Sequence, residues 1–104
     1  MNAYEKIAAC TGFDWDEGNV DKNWETHNVS AVECEQVFFN YPMVVAPDLQ
    51  HSQSEPRCFV LGHTDARRTL FLVFTIRGNL IRVISARDMN KKERRRYDSH
   101  GKET

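Results

Sequence analysis

The fold turns on one stretch, Thr69-Leu70-Phe71-Leu72-Val73-Phe74-Thr75-Ile76-Arg77-Gly78-Asn79-Leu80-Ile81-Arg82-Val83-Ile84-Ser85-Ala86-Arg87. Residues 69–77 and 80–86 are β-branched, aromatic and aliphatic, and Arg77-Gly78-Asn79 between them is a tight-turn signature, so they form a hairpin. The run from Leu70 to Ile76 is apolar at successive positions and not at alternate ones. Both of its faces are therefore buried, which makes it the central strand, with helices covering at least one side of the sheet. Residues 58–62 form a third such run, joined across residues 63–68, and complete an antiparallel meander.

Working upstream, residues 43–46 are a short β-rich run closed by Pro47 and Asp48, the pattern of an edge strand, and residues 49–56 are polar and loop-like. Ser30 with Glu33 is a capping box and Val29 can staple it; Val32, Cys34, Val37 and Phe38 then give the apolar face of a helix that reaches about Phe39 and breaks at Tyr41-Pro42. Between Glu17 and His27 the i, i+4 pair Val20 and Trp24 predicts a helix with a narrow buried stripe, ended by Asn28. Phe13-Asp14-Trp15-Asp16 alternates aromatic and acidic residues, which predicts a short strand, and residues 1–12 are an amino-terminal extension. Downstream, Asn90 and Glu93 repeat the capping-box spacing and start a cationic helix ending near Tyr97 or Asp98, followed by a polar tail at 99–104. The expected fold is α+β: a small antiparallel sheet with two helices before it and a cationic helix after it, in one domain over residues 13–98. Trp15, Trp24, Phe38, Phe71, Leu72, Val73, Phe74, Ile81, Val83 and Ile84 are its expected core.

Length and composition agree with one domain. The chain has 104 residues, 40% of them apolar and 28% charged with the signs nearly balanced, enough for one core and unlike a disordered chain. Its longest apolar run is far short of the roughly 20 residues a bilayer crossing needs, and its first ten residues lack a signal pattern. Cys10, Cys34 and Cys58 form no CxxC pair and no even framework, which predicts free thiols in a reducing cytoplasm and disfavours structural zinc. The net charge of −1 hides a split. Residues 1–55 hold Lys6 and Lys22 against ten acids, a net −8, whereas residues 56–104 hold twelve Lys and Arg against five acids, a net +7. Either the halves pair with each other, or the later half presents a positive face to a polyanion. Lys91, Lys92, Arg94, Arg95 and Arg96, offset only by Glu93, favour the second.

These elements in this order resemble the BrnT family of bacterial type II toxins, small ribonucleases of RelE-like fold made beside an antitoxin, BrnA. The resemblance spans Phe13 to Tyr97. It is carried by Phe13-Asp14-Trp15-Asp16; Lys22-Asn23, His27 and Val29-Ser30; Asp48, His51, Glu55 and Arg57; Gly62; Arg77-Gly78; Ile84-Ser85-Ala86-Arg87; and Glu93-Arg94-Arg95-Arg96-Tyr97. The chain departs where the family writes Lys-His-Gly, having Thr26-His27-Asn28, and in its extension. Asn is an acceptable left-handed substitute for Gly at a helix end. The resemblance implies an RNA substrate, a BrnA-like ribbon-helix-helix antitoxin as partner, DNA reached only through it, a hetero-oligomer, and no membrane.

Metal-free RNA cleavage needs a base for the ribose 2′-hydroxyl, cations for the anionic phosphorane, and an acid for the leaving 5′-oxygen. Arg87, at a strand end beside the cationic helix, is the first candidate for anion stabiliser, the alternative being an ion pair with Asp14 or Asp16. Arg82 lies five positions earlier and shares its face only if a bulge or turn intervenes. Arg67 and Arg68 occupy the turn before the central strand, where they reach a phosphate or sit as a solvated tip. His63 and His51 titrate nearest neutrality and are candidates for proton transfer; His27 reads as a helix cap. Tyr97 either stacks on a base and offers its hydroxyl, or packs on the sheet. Lys91, Lys92, Arg94, Arg95 and Arg96 suit substrate attraction, or equally the grip of an acidic antitoxin. Cys58 reads as packing. No metal or cofactor is called for. Three readings remain open: a ribonuclease toxin, a non-catalytic nucleic-acid or acidic-protein binding module, and a degenerate toxin kept for complex formation.

Overall fold

The computed structural model describes residues 2–49 and 55–103, and in chain order its elements are α1 (Ala3–Ala8), β1 (Gly12–Phe13), α2 (Glu17–His27), α3 (Ala31–Val37), β2 (Val44–Pro47), β3 (Cys58–His63), β4 (Thr69–Arg77), β5 (Leu80–Asp88) and α4 (Lys91–Glu103). The sheet order is β1-β5-β4-β3-β2, so β4 is central, as its unbroken apolar run requires. Strands β2 to β5 pair antiparallel, and β1 adds one short parallel pairing to β5. Gly78 turns the β4–β5 hairpin at φ 63°, a conformation that costs Gly little.

One irregularity decides what the two faces carry. Between Val73 and Phe74 the partner on β5 jumps from Ser85 to Val83, leaving Ile84 as an extra residue, a β-bulge. It lets Ile81, Val83 and Ala86 all point to one face and be buried there, so Arg82 and Arg87, which would otherwise oppose each other, share the second face.

The first face holds the main core, Val60, Leu70, Leu72, Phe74, Ile81 and Val83 packed against α1, α2 and α3. Gly62 lets α3 approach closely, since a Cβ there would lie 2.7 Å from Val37 Cγ1. The second face carries a smaller cluster of Val44, Leu61 and Tyr97, with Phe59, Phe71 and Met89 half-buried beside it. Among the described residues only α4 covers that face, and only in part.

Both capping boxes form: Ser30 with Glu33, and Asn90 with Glu93. Asn28 ends α2 in the left-handed region at φ 53°. Four expectations are corrected. Val32 on α3 is exposed, and Trp24 is 54% exposed because α2 turns Asn19 and Asn23 toward the sheet. There Asn19 Nδ2 donates to the Val83 carbonyl at 2.7 Å and Asn23 Oδ1 accepts from the Ala86 N–H at 3.1 Å. Among the described residues no strand lies beside the edge of β5 beyond Ile81, and these two amides, one helical turn apart, satisfy its backbone in place of one. The strand expected over residues 13–16 shrinks to Gly12–Phe13, and Trp15 instead donates its indole N–H to Glu35. Residues 99–103 continue α4 and form no loose tail. The extension packs on the domain through Ile7, a member of the main core.

Candidate functional site

The second face of the sheet forms a groove of about 700 Å³, with Phe59, Leu61, Phe71 and Val73 as its floor and Arg87, Lys92 and Arg96 on its rim. Phe59 and Phe71 are stacked, centroids 5.6 Å apart and planes 25° apart. The Arg87 guanidinium lies 4.2 Å over Phe71, and that of Arg96 5.4 Å over Phe59. The result is a ladder of cation, ring, ring and cation.

Arg87 is held from below. Glu93 takes Nη1 at 2.8 Å and Nη2 at 2.9 Å, and the Asp88 carbonyl takes Nη1 at 3.1 Å. This end-on clamp raises the Arg87 pKa further above its ordinary value. Burial pushes the Glu93 carboxyl up, but Arg87 and the Asn90 N–H outweigh it and hold Glu93 below the usual carboxylate range. A guanidinium has five N–H donors. Among the described residues three are used, and the other two, Nε–H and the second Nη2–H, form the side-on fork that matches two phosphate oxygens. The partner of Arg87 is therefore neither Asp14 nor Asp16.

Arg68, its neighbour in the candidate set, is saturated. Nε and Nη2 bond the two Asp88 oxygens at 2.8 and 3.1 Å, Nη2 also bonds the His27 carbonyl, and Nη1 bonds the Asn28 carbonyl and Glu33. All five donors tie the end of α2, the start of α3 and the end of β5 together. Its neighbours raise its pKa, and it in turn helps lower those of Asp88 and Glu33. Arg68 is thus a clasp and not a solvated hairpin tip. Arg67 differs again: exposed, at φ 70°, it takes the left-handed position of the turn in which its N–H bonds the Thr64 carbonyl.

His63 and Tyr97 meet at 2.6 Å between His63 Nδ1 and Tyr97 Oη, and that hydroxyl donates to the Pro42 carbonyl at 2.7 Å. With its one proton given to Pro42, Tyr97 must accept from His63, which assigns the proton to Nδ1 and leaves Nε2 with its lone pair. Burial and, after it, the charge of Arg67 hold the His63 pKa below the ordinary imidazole value. Burial raises that of Tyr97.

The sequence-predicted residues therefore divide. Arg87, Lys92 and Arg96 share the groove, and Tyr97 belongs to the apolar cluster at its floor with His63 bonded to it. Arg94 bonds Thr69 Oγ1, and Lys91 and Arg95 are exposed on α4. Arg82 is drawn away to Asp16 and Asp14, and Arg77 to Glu55. Part of the late positive charge is thus neutralised by early carboxylates, the alternative that the charge split left open. His51 lies outside the described residues. Two participants escaped sequence reasoning. Glu93 was visible as a helix cap and as the one acid of the cationic run but not as the clamp on Arg87, and Phe59 only as part of the β-rich run at 58–62.

Among the described residues no group of three or more His, Cys, Asp or Glu is placed to hold a metal ion, and no helix is long and apolar enough to cross a membrane. Fold and site together define a small α+β protein whose half-open sheet sets cations against aromatic rings. The family model described as the ribonuclease toxin, BrnT, of type II toxin–antitoxin systems matches residues 15–93, and the chain belongs to that family. The fold is similar to that in a 1.1 Å crystal structure of the ribonuclease toxin BrnT of Brucella abortus, with TM-score 0.60 and 20% identity, over 78% of this chain and 99% of that one. No curated protein matches.

Proposed function

We propose that this chain is an endoribonuclease that cleaves messenger RNA without a metal ion, arrests translation, and is neutralised by a BrnA-like ribbon-helix-helix antitoxin in a hetero-oligomer that reaches DNA only through the antitoxin. Membership of a ribonuclease-toxin family supports this reading. The observation that carries it is the open fork of Arg87 above an aromatic floor, because single-stranded RNA offers a phosphate and a base face side by side.

A phosphodiester on that fork leaves its flanking bases against Phe59, Phe71 and Val73, while Lys92 and Arg96 meet neighbouring phosphates. His63 Nε2 takes the 2′-hydroxyl proton. The freed oxygen attacks phosphorus, the added negative charge falls on Arg87, and the 5′-oxygen leaves and takes a proton from water. The products are a 2′,3′-cyclic phosphate and a 5′-hydroxyl end. Burial and, after it, Arg67 keep His63 neutral and ready to accept, Tyr97 positions its ring, and Arg68 acts only by holding the scaffold.

Incubating the purified chain with labelled RNA should yield shortened products with cyclic-phosphate ends. Arg87→Ala should slow this by about 100-fold or more, the usual scale for losing one transition-state donor, and relieve growth arrest at equal expression. RNA that is retained but never shortened would overturn the nuclease in favour of a binding module.

A further inference from the structure

His63 ends β3, and the turn that follows it, residues 64–68, is tied down from outside the sheet. Asn40 Nδ2 donates to the His63 carbonyl at 3.1 Å and to Asp65 Oδ1 at 2.9 Å, and the Asp65 N–H donates to Gln36 Oε1 at 3.1 Å. An amide nitrogen has two N–H donors, so Asn40 spends both on this one turn. Two residues on, the Pro42 carbonyl takes the Tyr97 proton and thereby assigns the proton of His63. The segment between α3 and β2 thus holds His63 twice, by its carbonyl and, through Tyr97, by its ring.

The same amide decides where a charge stands. Two charges of the turn act on the His63 ring in opposite senses, Arg67 disfavouring the protonated form and Asp65 favouring it. Arg67 is exposed, whereas the Asp65 carboxylate is gripped by Asn40. From α4 come Tyr97, bonded to the ring, and Arg94, bonded to Thr69, the residue paired with His63 on β4. The segment between α3 and β2 brings the uncharged Asn40 amide and Pro42 carbonyl.

We propose that Asn40 is a positioning residue for the proton transfer, one amide fixing both the direction in which His63 presents Nε2 and the place of the Asp65 carboxylate beside it. The proposal rests on the reading of His63 as the base. A tether on the backbone of the base has leverage, since a misplacement of about 1 Å at the reacting atom is worth about 100-fold in rate. The bond to Asp65 is exposed to solvent, so its electrostatic part is the smaller one.

Asn40→Ala removes both bonds. Its kcat for RNA cleavage at neutral pH should fall about tenfold or more, with KM within about twofold of the parent. Followed by NMR, its His63 ring should bind a proton about threefold more weakly, because the Asp65 charge is no longer held near it, and the acid limb of the cleavage profile should move to lower pH in step. Asp65→Asn removes the charge but leaves a carbonyl oxygen to accept from Asn40, so it should reproduce the weaker proton binding with a smaller loss of kcat. Should Asn40→Ala not fold, Asn40→Ser, whose short side chain cannot bridge both groups, is read in the same way. Parental kcat in the Asn40 variant, or a loss confined to KM, overturns the proposal. So does a fallen kcat with the His63 titration unmoved, which would make Asn40 a support of the fold alone. A parent chain that cleaves no RNA overturns the nuclease reading and with it the purpose of the tether, while the NMR titration still shows whether Asn40 governs His63.

Discussion

Arg68 and Arg87 both bond Asp88, one through its carboxylate and the other through its carbonyl oxygen, yet their remaining donors separate them. A saturated guanidinium can only stabilise, so Arg68→Ala should cost about 2 kcal/mol in a denaturant titration, below the usual figure for a broken buried pair because solvent reaches the site. Arg87→Ala should cost less than about 1 kcal/mol in the same titration, since its pair is half-exposed. The Asp88 and Glu33 carboxyls have lowered pKa values in the folded state. Their contribution is therefore complete above the ordinary carboxylate range and lost as the pH falls through their folded values. The stability gap between parent and Arg68→Ala should shrink in acid accordingly. His63 titrates in the other sense for activity. Its lowered pKa keeps the base form present at neutral pH, so cleavage should be flat from about pH 7 upward and fall only below the ordinary imidazole value of roughly 6.5. A fall that begins above that value would remove His63 from the role of base.

At the scale of elements, α2 is the informative case. Its apolar pair Val20 and Trp24 lies one position along from the polar pair Asn19 and Asn23, and either could face the sheet. The polar pair does, because the bulged edge of β5 has backbone groups that need partners and an indole cannot supply an acceptor. Asn23→Ala should therefore cost about 2–3 kcal/mol in thermal or chemical unfolding, the scale of an unsatisfied buried donor. Trp24→Ala should shift stability by no more than about 0.5 kcal/mol, as an exposed substitution does. Hydrophobic periodicity placed α2 correctly along the chain and assigned its buried face wrongly.

For the whole molecule, the two halves of the charge split do two things at once. Asp14, Asp16, Glu33 and Glu55 draw Arg82, Arg68 and Arg77 into ion pairs that bind the early segments to the sheet. Lys92 and Arg96 stay on the groove rim with Arg87. If these three meet phosphates, log affinity for single-stranded RNA should fall against log salt with a slope of about −2, from roughly 0.7 counterions released per contact. A filter-binding series between 50 and 200 mM salt, about the usual range for such a series, measures it, and a slope near about −4 would mean that the three paired arginines also open to the strand.

The sequence by itself determined the meander, its central strand, both capping boxes and the cationic helix, because each depends on residues within a turn or a strand length of one another, and the family, because its motifs keep their order along the chain. Only the tertiary structure decided which arginines keep a free donor, which face of α2 is buried, and that Arg82 and Arg87 share one face. Arg68 and Arg82 are occupied by partners 20 to 68 positions away, α2 is turned by β5 groups more than 60 positions on, and the shared face follows from a single inserted residue in β5; local spacing carries no record of these.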